Sequence, residues 1–238
     1  MQLRSQSMGR WYPIPPVWLE GRAGLEYAQL QRSRVFAGDG VPPGDDRPVM
    51  LIPGFLAGDA SLDVMRGWLR RNGYRTLRSG INLNAQSSEV LLQRIASRLG
   101  TEYRHSGRRV TLIGQSRGGV LAVGVAHRFP KLVEQVISLG SPIGDPMDVG
   151  PSTMAAVHLA RFVHAMRRGP RDLDLRFDRE LADPVRVPVT SMFSKTDGIV
   201  HWRACLRPDV DSVEVGGSHV GMGVNRRVYE EVARRLAS

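Results

Sequence analysis

Cys205 is the only cysteine in the chain, so no internal disulfide can form and no multi-cysteine metal site can be built. Lysine is almost as scarce: Lys131 and Lys195 are the only two among 33 basic residues, and arginine supplies the rest. No apolar run of about 18 residues appears, so there is no conventional membrane span. The opening stretch Met1–Arg10 is polar and basic with no apolar run behind it; it does not read as a secretory signal, and a cytoplasmic protein is expected. Aromatic residues are only 6% of the chain and are not interleaved with basic ones. Basic residues form no long block either. The net charge of +10 is therefore read as arginines spread over a solvated surface, and no nucleic-acid partner is expected. Internal repeats and low-complexity segments are missing.

What is present is a chain of 238 residues, 42% hydrophobic and 24% charged, which suits one domain over 1–238 with one core. A chain this long buries roughly 70% of its unfolded surface and needs no metal or disulfide to hold it. Apolar strand signals fall at Pro48–Pro53, Tyr74–Arg78, Val110–Ile113, Val133–Leu139, Val187–Phe193 and Ser212–Val215. Helical signals lie between them: Asp59, as a cap, to about Asn72; Ser87 or Ser88 to about Tyr103; Gly118–Phe129; and Val224–Leu236. This alternation predicts an α/β fold with a mostly parallel central sheet of about six strands and helices on both faces. Residues 1–47 read as an N-terminal arm. It contains a proline-rich stretch, Trp11–Val17, and a helix over Leu19–Gln31 with Leu25 and Ala28 on one side and Leu30 nearby. An insertion at about 143–185, with a helix candidate at Ser152–Met166, is expected to form a small cap.

The strongest local signal is Gly114-Gln115-Ser116-Arg117-Gly118-Gly119, which matches G-x-S-x-G. The pattern is short, but it follows an apolar strand and precedes a helix built of small residues. A strand-to-helix turn tight enough to project a hydroxyl has no room for side chains beside the serine, so glycines flank it. The plainer reading is a glycine-rich turn whose serine caps the next helix. A serine hydroxyl needs a base. His219, in Gly216-Gly217-Ser218-His219-Val220-Gly221, follows the last strand signal and suits that role. His105, His127, His158 and His164 fall in or beside helices and read as surface or cap residues, while His201 is a candidate pocket residue or a surface one. The imidazole needs a carboxylate to fix its tautomer. Asp197, in Ser194-Lys195-Thr196-Asp197-Gly198, leads; Asp145 competes, and Asp197 could instead serve only as a turn carboxylate beside a glycine.

An oxyanion formed at Ser116 needs backbone N–H donors. Arg117, directly after the serine, supplies one candidate, and Phe55, after Pro53-Gly54, the other. Leu56, Gln115, His201 and Val220 are expected to line the substrate pocket.

Together, Leu51-Ile52-Pro53-Gly54-Phe55, the elbow at Val110–Gly119, the segment Ser138–Pro142, Asp197 and His219 resemble the α/β-hydrolase superfamily, in particular compact bacterial lipases and esterases. The order Ser116, Asp197, His219 is that family's order. Pro53-Gly54 stands where many members carry His-Gly, and neither the family's leading antiparallel strands nor a large lid is evident. The resemblance implies hydrolysis of a small-molecule or lipid carboxylic ester through an acyl-enzyme, without metal or organic cofactor, with room for transient contact with a lipid surface. The same triad would also serve an amidase, thioesterase or acyltransferase. A noncatalytic binding protein that kept the fold is the rival from another class. Oligomeric state is not readable.

Overall fold

The computed structural model describes residues 14–146, 148–150, 154, 177 and 180–237. Six strands form one parallel sheet: β1 (Pro48–Ile52), β2 (Arg75–Arg78), β3 (Val110–Gln115), β4 (Val133–Leu139), β5 (Val189–Phe193) and β6 (Asp211–Glu214), in the order β2-β1-β3-β4-β5-β6. Every neighbouring pair runs parallel. Helices with both ends among the described residues are α1 (Ala23–Gln31), α2 (Arg34–Ala37), α3 (Asp63–Arg71), α4 (Ser88–Ser106), α5 (Arg117–Arg128) and α6 (Arg226–Ala237).

β1 and β5 are buried along their whole length, as parallel strands covered on both faces must be. Successive strand side chains point to opposite faces. Met50, Ile52, Val110 and Leu112 therefore join Leu91, Ile95, Leu121 and Val125 of α4 and α5 in one core layer. Val49, Leu51, Ile113 and Ile137 join Leu69, Trp68, Val228 and Val232 of α3 and α6 in the other. Burying each such side chain contributes about 1.5–3 kcal/mol before ordering costs. Trp68 ties the second layer together: its indole N–H donates to Val35 O at 2.8 Å, and its ring lies 4.7 Å from that of Tyr229.

Some local features differ from the sequence reading. Asp59 does not cap a helix; a 3-10 turn at Asp59–Leu62 precedes α3, and its N-cap is Gly58. The Asp59 carboxylate instead accepts from Ser79 N–H, Ser79 Oγ–H and Gly80 N–H at 3.2, 2.6 and 2.9 Å, fastening the exit of β2. Ser87 does cap α4, accepting from Val90 N–H at 3.4 Å. The predicted helix over Leu19–Gln31 is a 3-10 turn at Val17–Arg22 running into α1. Its inward side carries Glu26 and Leu30, while Leu25 is 61% exposed. The reason is polar: Glu26 is drawn in by a backbone N–H of a distant loop, described below. The helix candidate Ser152–Met166 and most of the expected cap lie outside the described residues.

The chain moves from β1 to β2 on one side and then to β3 on the other. Where a parallel sheet reverses its direction of winding, the loops at the carboxyl ends of the two strands part and leave a crevice. Here that crevice lies between the ends of β1 and β3, where Ile52 pairs with Gly114.

Candidate active site

Ser116 leaves β3 at this crevice with φ 52° and ψ −125°, a conformation that a residue with a side chain seldom adopts. Its neighbours explain how the turn is held. The Ser116 N–H donates to Leu139 O at the end of β4, at 2.8 Å, and Gly119 N–H donates to Ser116 O at 3.0 Å. The glycines are needed for space. A Cβ on Gly114 would lie 2.4 Å from Gly118 C, and one on Gly118 would lie 2.2 Å from Ile52 O. The helix thus starts directly against β1, leaving Ser116 at the apex of the turn.

Two more strands bring the other candidates to the same end of the sheet. Asp197 follows β5 and is 2% exposed; His219 follows β6 and is 6% exposed. Asp197 Oδ2 lies 2.7 Å from His219 Nδ1, while Oδ1 accepts from Ile199 N–H and Val200 N–H, both at 2.8 Å. One Asp197 oxygen thus closes its own turn and the other lies against the imidazole. With both oxygens engaged, the carboxylate plane is fixed. A proton on Nδ1 then points at Asp197 and leaves the lone pair on Nε2. Asp197, not Asp145, is the carboxylate against His219.

Ser116 and His219 are joined through the residue before the serine. Gln115 Nε2 donates to His219 O at 3.1 Å. Gly140, directly after the Leu139 that anchors Ser116, packs beside the same ring; a Cβ there would sit 3.1 Å from His219 Nδ1.

The loop after β1 carries the candidate oxyanion donor Phe55. Leu56 N–H donates to Asn84 O at 3.1 Å and Ala57 N–H to Gly54 O at 3.1 Å. Phe55 N–H, between them, meets no acceptor among the described residues. Asn84, fully buried, was not singled out from the sequence. Its Nδ2 donates to Pro53 O at 2.7 Å and its Oδ1 accepts from Arg117 Nη1 at 2.7 Å. Arg117 also donates to Gln86 O at 2.7 Å and Ser88 Oγ at 3.2 Å. The side chain of the residue after the serine thus braces, through Asn84, the loop that carries the candidate donor Phe55. An asparagine in a loop carries no periodic signal, so only the fold reveals this role.

Of the expected pocket residues, Leu56 and Val220 are 52% and 55% exposed at the rim of these loops. Gln115 holds His219, as described. His201 Nδ1 lies 2.9 Å from Asp148 Oδ2, and its buried Nε2 has no partner among the described residues. Cys205 is buried; desolvation first, then the nearby Asp197 and Asp148 carboxylates, push its thiol far above the ordinary range, so it offers no thiolate. A cleft of about 960 Å³ lies at the opposite end of the sheet, against the strand starts Pro48, Val49 and Thr111, remote from Ser116.

The parallel sheet, the serine elbow at the reversal of winding and the acid and histidine loops after β5 and β6 define an α/β-hydrolase. A family model described as "Putative esterase" matches residues 58–205, more than half of the chain, which therefore belongs to that esterase family. The match includes Ser116 and Asp197 and ends before His219. Solved structures share the fold. A lipase of Bacillus licheniformis in its mature form aligns with TM-score 0.61 at 17% identity, covering 83% of this chain and 94% of that one. A metagenomic carboxyl esterase aligns with TM-score 0.60 at 17% identity, covering 95% of each chain. A monoacylglycerol lipase of Paleococcus ferrophilus aligns with TM-score 0.58 at 14% identity, covering 82% and 96%. No curated protein matches the chain. No helix among the described residues is long and apolar enough to cross a membrane.

Proposed function

We propose that this esterase-type hydrolase cleaves carboxylic esters of small molecules or lipids with Ser116 as nucleophile, His219 as base and Asp197 as the orienting acid. The observation that carries the proposal is the meeting of three loops: Asp197 Oδ2 is 2.7 Å from His219 Nδ1, and the residue before Ser116 is bonded to His219 O at 3.1 Å. His219 Nε2 takes the proton of Ser116 Oγ as that oxygen attacks the ester carbonyl. The backbone N–H groups of Phe55 and Arg117 stabilise the oxyanion. As the tetrahedral species collapses, His219 returns the proton to the departing alcohol. Water, deprotonated by His219, then attacks the acyl-enzyme, and the acid leaves with Ser116 restored. Asp197 stays ionised and keeps the ring in place throughout. Every step uses groups of this chain.

Leu56 and Val220, both exposed at the rim, are placed to meet the acyl chain, with His201 at the pocket's edge. The insertion at about 143–185 belongs to the same single domain in this reading. Its flanks support that: Ile143 and Phe177 are 2% and 3% exposed in the core layer of α4 and α5.

The test is turnover of p-nitrophenyl esters from short to long acyl chains, with Ser116→Ala as control, together with labelling by a fluorophosphonate. Turnover and labelling that vanish in Ser116→Ala are expected. Undiminished turnover by a verified Ser116→Ala preparation, or no labelling of the folded wild type, would overturn the proposal.

A further inference from the structure

The N-terminal segment before the sheet sends two carboxylates into the histidine loop. Glu20, in the 3-10 turn Val17–Arg22, accepts at Oε1 from His219 N–H at 3.1 Å and at Oε2 from Val220 N–H at 2.7 Å. The same Oε1 accepts from Gly198 N–H at 2.9 Å, in the loop that carries Asp197. Glu26, in α1, is 8% exposed and accepts from Ser218 N–H at 2.8 Å. Its other oxygen is buried without a partner and rests on Gly221, where a Cβ would collide with it. Gly221 N–H is satisfied by Ser218 Oγ at 3.1 Å. Arg22 adds a fifth hydrogen bond, donating from Nη2 to Thr196 O at 3.2 Å.

Three successive N–H groups, of Ser218, His219 and Val220, are thus taken up by carboxylates from residues nearly two hundred positions away. His219 stands at the N-cap of the 3-10 turn Val220–Val224, where backbone donors converge and favour anionic acceptors. Hydrogen bonds to an ionised acceptor are shorter and stronger than neutral ones. One such acceptor shared between two loops fixes their separation as well as their positions.

We propose that Glu20 is a positioning residue for the His219–Asp197 pair, clamping the acid loop and the histidine loop to one carboxylate, with Glu26 locking the histidine loop from behind. The inference rests on the proposed role of His219 but concerns the pair's geometry, which can be read without turnover. Glu20 touches neither the serine nor the ester; it acts through the two backbones. A catalytic constellation that drifts by about 1 Å loses on the order of a hundredfold in rate.

The experiment compares wild type, Glu20→Ala and Glu20→Gln at a temperature well below each variant's unfolding midpoint. Glutamine keeps one acceptor oxygen for Gly198 and His219 but turns an amide donor toward Val220 N–H. Glu20→Ala is expected to lower kcat for a short p-nitrophenyl ester roughly 10–100-fold with KM within about twofold. Glu20→Gln should fall between it and wild type, and added formate should restore part of the alanine variant's rate. In parallel, NMR should show the His219 Nδ1 proton, held at Asp197 in wild type, exchanging with solvent at least about tenfold faster in Glu20→Ala. Overturning results are a Glu20→Ala enzyme within about twofold of wild type in kcat, or, if wild type proves inactive, an unchanged exchange rate for that proton. An inactive wild type whose Nδ1 proton still responds to Glu20→Ala would sink the ester reading and leave the clamp standing. Should Glu20→Ala fail to fold, Glu20→Gln decides alone by the same two measurements.

Discussion

Replacing Asn84 by alanine tests whether the proposed oxyanion loop is held by a side chain. In the folded protein its amide bridges two pieces of the site, donating to Pro53 O and accepting from Arg117 Nη1, both at 2.7 Å. The site is fully buried, so water cannot readily replace the amide. Pro53 O loses this donor, and a buried polar group left unpaired costs about 1–3 kcal/mol. Arg117 keeps Asn84 O at 3.2 Å and Gln86 O at 2.7 Å, so its loss is nearer an ordinary hydrogen bond, about 1 kcal/mol. The sum is about 2–4 kcal/mol, which in a chain of this length lowers the unfolding midpoint by about 5–15 °C. Catalysis should suffer separately. Complete loss of one oxyanion donor lowers kcat about 100–1,000-fold. Here the backbone pairs Leu56 N–H to Asn84 O and Asn84 N–H to Ala57 O, at 3.1 and 2.8 Å, still hold the loop. Phe55 N–H is then displaced rather than lost, and a fall of about 10–100-fold in kcat is expected with KM nearly unchanged. The assay is steady-state hydrolysis of p-nitrophenyl acetate below the lowered midpoint, with thermal unfolding followed by circular dichroism. Asn84→Asp should do no better than alanine, because a carboxylate would face Pro53 O. If Asn84→Ala kept kcat within about twofold while its midpoint fell, the backbone pairs alone would be setting the loop, and the side-chain argument would be wrong.

Other substitutions probe separate links. Asp197→Asn should lower kcat about 10,000-fold by favouring the wrong tautomer of His219, whereas Asp145→Asn should change it less than about fivefold; the reverse order would move the acid to the other loop. Gly118→Ala should destabilise by about 3 kcal/mol or more, since its Cβ would meet Ile52 O and Pro53 O at 2.2 and 2.6 Å; an unchanged midpoint in denaturant would contradict the close packing of α5 on β1. His127 is held below its ordinary pKa, first by burial and then by Arg207. The folded state therefore binds fewer protons there than the unfolded one, and this part of the stability is lost as pH falls from about 7 toward 5. His127→Gln should flatten that decline, measured as unfolding midpoint against pH.

The sheet was legible because burial leaves a pattern. Val133–Leu139 is apolar enough to be placed to the residue, and the serine turn betrays itself through glycines whose absence of a Cβ is required by Gly118 and Ile52. Asp197 and His219 were findable for a similar reason: each sits just past a strand, where a parallel sheet exposes its loops. The bracing groups left no such trace. Asn84, Glu20 and Glu26 act by long-range polar contacts to backbone atoms, which impose no periodicity on their neighbours and accept any local sequence that reaches the right point. Glu26 even inverts the local rule, because a charged residue occupies the buried side of α1 while Leu25 faces solvent. A helix face read by hydrophobicity alone is bound to be assigned wrongly when a backbone N–H, not an apolar neighbour, is what it turns toward. The segment before the sheet carries no motif in sequence, yet its Glu20 carboxylate meets the backbone N–H of His219 itself, with Glu26 on Ser218 beside it. If that contact sets the geometry of the imidazole, the reacting groups cannot be separated from the segment that precedes the sheet, and removing either glutamate should be felt at the serine before it is felt in the core.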